Sequence, residues 1–85
     1  MKTVIFLHHP LLNDTFAYFP LEKWDRMGNR MCYSLDSGHG ACSQEYAAEC
    51  VDATEKQYKP IQDEIAEEHG YKLNILLKND LIKSK

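Results

Sequence analysis

Thr3-Val4-Ile5-Phe6-Leu7-His8 is the stretch on which the fold turns. Its β-branched and aromatic side chains follow one another without polar alternation. Such a run fits a short strand buried on both faces or nearly so, and a strand of that kind belongs in the middle of a sheet. Pro10 and Asn13-Asp14 then punctuate the chain before Thr15-Phe16-Ala17-Tyr18-Phe19, an aromatic strand that Pro20 is expected to end. The pair reads as a hairpin with a long loop. Gly28-Asn29 is a turn signal, and Met31-Cys32-Tyr33-Ser34-Leu35 alternates as a half-buried third strand does.

From Asp36 to Ala41 the chain shows no periodicity and reads as a loop. Ser43 is placed to cap a helix, with Glu45 in the first turn where the helix dipole favours negative charge. Tyr46, Ala47, Cys50 and Val51 then form one apolar stripe. Thr54-Glu55-Lys56-Gln57 has capping-box spacing, so a second helix is expected from about Glu55, with Tyr58, Ile61 and Ile65 inward and Gly70 as its left-handed stop. Pro60 either kinks that helix or marks where its regular part begins. In Tyr71-Lys72-Leu73-Asn74-Ile75-Leu76-Leu77-Lys78, residues Tyr71, Leu73, Ile75 and Leu77 point one way, which predicts a strand covered on one face.

The order β-β-β-α-α-β predicts an α+β fold, a small antiparallel sheet with two helices packed on one face and a last strand that returns after a helical crossover. With 85 residues there is room for one core. Residues 1–78 are expected to form a single domain, with 79–85 as a loose tail, because Lys83-Ser84-Lys85 offers nothing to bury.

Ten basic residues stand against 13 acidic ones, for a net charge of −3. That sign is wrong for a protein whose affinity comes from neutralising phosphates, so nucleic acid is not an expected partner. The acidity is concentrated. Residues 41–70 hold two lysines and eight carboxylates, whereas residues 71–85 hold four lysines and one carboxylate. Apolar runs such as Val4 to Leu7 are too short to cross a bilayer or to drive export, and three cysteines suit a reducing compartment. A cytoplasmic location without membrane contact is expected.

Three chemistries can be read from the central cysteine and histidine residues. Cys32, His39, Cys42 and Cys50 provide the number of ligands a structural zinc needs, but the intervals between them of six, two and seven residues lack close pairs. Cys32 and Cys50 also fall on apolar stripes, so no metal and no cofactor is expected. Cys42 precedes a helix start, with His39 three residues upstream as a base, the layout of an activated thiol. The run Ser37-Gly38-His39-Gly40 leading to Ser43 could hold an anion or small ligand, since glycines let backbone amides converge; it could equally be an ordinary turn. Glu64, Glu67 and Glu68 belong to an acidic run that is either a surface for a basic protein partner or a solvated helix face.

Cys32-Tyr33-Ser34, His39, Cys42-Ser43 with Glu45-Tyr46, Tyr58, Glu64-Ile65 and Gly70-Tyr71-Lys72-Leu73 together resemble uncharacterised small proteins of bacteriophages and mobile genetic elements, over roughly residues 3–77. Those relatives carry a G-Q-H step where this chain has Ser37-Gly38-His39, so the histidine alone is shared there. The resemblance implies a phage or mobile-element setting and transfers no mechanism; the expected partner in that setting is a host protein. The reading as a whole is a small acidic intracellular protein-binding factor. Its alternative is a small enzyme or ligand- or anion-binding domain centred on the His39–Cys42 loop.

Overall fold

The computed structural model of the protein describes residues 2–70 and 72–83. They form β1 (Lys2–His9), β2 (Asp14–Lys23), β3 (Arg30–Ser34), β4 (Gly38–Cys42), α1 (Gln44–Glu49), β5 (Val51–Asp52), α2 (Glu55–His69), β6 (Leu73–Ile75) and α3 (Lys78–Lys83). The class is α+β, with a small, mostly antiparallel sheet.

β1 to β4 make an antiparallel meander in the order β4-β3-β2-β1. The far edge of β1 is divided between two partners. β6 pairs with it in parallel along Lys2 to Val4, and β5 in antiparallel fashion at Leu7 and His8. Val4 O accordingly accepts from Leu76 N and Phe6 O from Ala53 N, both at 2.9 Å, so carbonyls two residues apart are satisfied by segments far apart in the chain. With neighbours on both edges, Val4 to Leu7 are at most 3% exposed.

Side chains of a strand alternate between faces, so a strand buried at four successive positions needs cover on both sides. The structure supplies it with one helix per face, which corrects the expectation that two helices share a face. Val4 and Phe6 pack with Ala17, Phe19 and Tyr33 beneath Ile61 and Ile65 of α2, and the Phe6 ring stacks on Tyr58 at 4.3 Å. Ile5 and Leu7 pack with Phe16, Tyr18 and Cys42 on the other face, beneath Ala47 of α1.

The caps stand as the sequence implies. Ser43 Oγ accepts from Tyr46 N, Thr54 and Gln57 form a reciprocal capping box, and Gly70 closes α2 with φ of 65°. α2 runs from Glu55 through Pro60, so its regular part does not begin at the proline. Other boundaries differ. β2 continues past Pro20 to Lys23 because Pro20, Leu21 and Glu22 lie in a bulge that needs no amide from the proline. Residues 38–41, within the expected loop of 36–41, belong with Cys42 to the strand β4. α1 stops at Glu49, with Cys50 as its cap, and Val51 has moved from the expected helical stripe to β5.

The expected eight-residue strand shrinks to Leu73–Ile75, since β5 already occupies the rest of the β1 edge. Leu73 is half-buried, Ile75 and Leu77 are exposed, and Tyr71 lies outside the described residues. The expected tail is helical as far as Lys83. Lys78 fastens the start of that helix: its amide donates to Asp52, and its ammonium donates to the carbonyls of Ala48 and Cys50 at the end of α1. None of the described helices is long and apolar enough to cross a membrane.

Candidate functional site

α1 has six residues and a length of about 9 Å, so it covers β1 and β2 but not the rest of its face. Beyond it, over β3 and β4, lies a cleft of about 460 Å³. Cys32 and Ser34 of β3 and their cross-strand partners Gly40 and Gly38 line its base. The glycines keep the base low. A Cβ at Gly40 would come no closer than 3.9 Å to Cys32 Sγ, and one at Gly38 would meet no atom within 4 Å. Phe16, Asp14 and Tyr46 form the wall next to α1, and Asp36, Ser37, Ala41, Cys42 and Ser43 complete the lining. The Tyr46 hydroxyl donates to Asp14 Oδ2 at 2.9 Å, while its ring lies 5.8 Å from Phe16 and stacks on His9 at 5.0 Å.

Ser37, Gly38, Gly40, Cys42 and Ser43 line one cleft, but His39 does not join them. β4 is a strand, and residues three apart in a strand face opposite ways. Cys42 packs on the α1 side, and His39 lies edge-on to Tyr33 on the α2 side. The sheet thus separates the thiol from the imidazole that was to activate it. Burial, aided by Cys32, Cys50 and Asp14, pushes the Cys42 thiol up to about 12. Burial also raises the Cys32 and Cys50 thiols. None of the three is poised as a thiolate at neutral pH. Two carboxylates line the cleft and, among the described residues, no lysine or arginine does, so its charge suits a cation better than the expected anion.

On the opposite face, His39 of β4 and His69 at the end of α2 meet edge-on at 4.8 Å, both against the Tyr33 ring. Burial, then His69 and Lys2, lowers the pKa of His39. The Tyr33 hydroxyl donates to Glu64 Oε2 at 2.7 Å, and this bond is the main reason that its phenol is pushed up to about 12. Glu64 is half-buried and engaged with the sheet, which takes it out of the expected docking surface, while Glu67 and Glu68 are exposed.

Sequence reasoning missed Asp14, Tyr46 and His69 as site residues. Asp14 follows a turn and so sits at the start of β2, Tyr46 is the third residue of α1, and His69 immediately precedes the Gly70 cap, but only the folded topology brings them to their partners. Among the described residues no group of three or more His, Cys, Asp or Glu side chains is arranged to hold a metal ion. Comparison with known protein families, with curated proteins and with solved structures finds no match.

Proposed function

We propose that the chain is a small protein-binding factor of the cytoplasm, whose working surface is the exposed carboxylate side of the C-terminal half of α2, and that its partner presents a basic segment. The phage or mobile-element setting implied by the sequence resemblance makes a host protein the natural candidate. The observation that carries this reading is the placement of Glu67 and Glu68 in the last turn of α2. Carboxylates there face the negative end of the helix dipole, and Asp63 with Glu67 and Glu64 with Glu68 are like-charged pairs four residues apart. At low ionic strength the dipole costs the helix about 0.3–1 kcal/mol per carboxylate, while Asp63 is held by Lys59 and Glu64 by Tyr33. A fold selected for stability alone would put lysine at those positions, so the acids are better explained by a partner's charge.

The test is Glu67→Lys with Glu68→Lys in one chain, titrated with a fluorescent lysine-rich peptide at low and high salt. Binding should drop at least about tenfold at low salt and lose its salt dependence. The melting temperature should rise slightly, because the new charges suit the dipole. Unchanged peptide binding by the double variant would eliminate this surface.

A further inference from the structure

We propose that the cleft over β3 and β4 is a binding site for a small organic ammonium compound, its charged nitrogen held at the Asp14 carboxylate and its carbon skeleton laid against the rings of Phe16 and Tyr46. This site is independent of the acidic side of α2 and faces the other way from the sheet.

Three observations converge on that ligand class. The first is space: at about 460 Å³ the cleft falls within the range that small organic ligands occupy. It is open because the topology puts a six-residue helix over a four-strand meander and because Gly38 and Gly40 bring no side chains to its base. The second is charge. Asp14 is half-buried, with Cys32, Cys42, Cys50 and Tyr46 within electrostatic reach of its carboxylate. Those four groups are neutral at physiological pH, and Asp36 adds a second negative charge at the cleft. A half-buried carboxylate whose hydrogen bond comes from a neutral phenol gains from a cationic ligand.

The third observation is the shape of the wall. The Tyr46 ring stacks on His9 and lies tilted beside Phe16, and the phenol of Tyr46 fixes the Asp14 carboxylate by a hydrogen bond. An ammonium next to a carboxylate and an aromatic face is attracted by both, and the apolar arm of the ligand finds a ring to cover. The serine hydroxyls at the cleft add acceptors for the remaining N–H groups. A carboxylate or phosphate ligand would instead meet two negative charges.

The experiment is an NMR titration of the ¹⁵N-labelled full chain at neutral pH with benzylamine, benzyl alcohol and benzoate, which share a ring and differ in charge. Benzylamine should shift the amides of Asp14, Gly38, Gly40 and Tyr46 and saturate at millimolar concentration or below. Benzyl alcohol should bind at least about tenfold more weakly, as loss of a charge-assisted contact implies, and benzoate should shift none of these amides. Asp14→Asn should weaken benzylamine by at least about tenfold.

Should Asp14→Asn fail to fold, Gly40→Leu decides. The open space around that Cβ accepts a side chain, so this variant should melt like the parent and block benzylamine. The proposal is overturned if benzylamine leaves the cleft amides unmoved, if benzoate binds as tightly as benzylamine, or if Gly40→Leu binds benzylamine as the parent does.

Discussion

Beneath α2 the core runs from β1 to β3 and His69 reaches on to His39 of β4, whereas beneath α1 the core lies over β1 and β2 and gives way to a cleft over β3 and β4. Both faces share the same strands and the same alternation of buried residues. What differs is the length of the cover. The meander spans about 14 Å between its outer strand axes. The 15 residues of α2 extend about 22 Å and reach as far as His39, while the six of α1 extend about 9 Å. In a small fold, then, helix length can decide which face becomes core and which becomes a site.

The comparison can be broken most directly in the core. Phe19→Ala, beneath α2, should cost about 3–5 kcal/mol in denaturant unfolding. Phe16→Ala, also buried but bordering the cleft, should cost about 3 kcal/mol, the low end of that range, because the adjoining open space lets the site relax around the smaller side chain. Equal costs would mean that the two faces are packed alike.

A smaller effect is expected at the sheet edge. Leu73 is half-buried at the rim of the α2 side, so Leu73→Ala should cost about 1–2 kcal/mol, less than a fully buried leucine would. A cost as large as that of Phe19→Ala would show that β6 seals the core instead of edging it.

Alkaline titration sharpens the contrast further. Tyr33 on the α2 side and Tyr46 on the cleft side both have phenols raised from 10.0 to about 12. Folding therefore favours the neutral phenol. The stability this contributes is complete below pH 10 and is lost as pH climbs from 10 to about 12. Tyr33→Phe and Tyr46→Phe should each flatten the fall of unfolding free energy over that window. If neither variant alters the slope, the phenol–carboxylate bonds are not formed in solution.

The smallest effect belongs to the thiols. At pH just above neutral, iodoacetamide should label Cys42 and Cys50 in the native protein far more slowly than in the unfolded chain, with Cys32 in between because it borders the cleft. Rapid native labelling of Cys42 would restore it as a nucleophile.

Much of the fold could be read from residues whose constraints are local. The capping box at Thr54, the Ser43 cap and the Gly70 stop depend on backbone groups within a few residues, and Val4 to Leu7 announce burial by themselves. β4 escaped notice because its inward positions are glycines. Gly38, Gly40 and Cys42 do repeat every two residues, but glycine carries no hydrophobic signal by which to see it. The last strand was overextended for the opposite reason: its alternation is clear, yet how much of it pairs depends on β5, which competes for the same edge. Cleft membership was legible for Ser37, Gly38, Gly40, Cys42 and Ser43 because they are neighbours in the chain. Strand parity removed His39, and Asp14 and Tyr46 arrive through contacts 32 residues apart, which no local pattern encodes.

The divided edge of β1 also sets an order in time. The four meander strands meet their partners across short connections and can form early, but the outer row of β1 donors and acceptors stays unfilled until residues 51–53 and 72–76 have come into place. During that interval the most apolar strand of the chain is an exposed edge, the template through which incompletely folded copies pair with one another. Solubility during synthesis is therefore governed by how quickly two short, late segments close over the first strand.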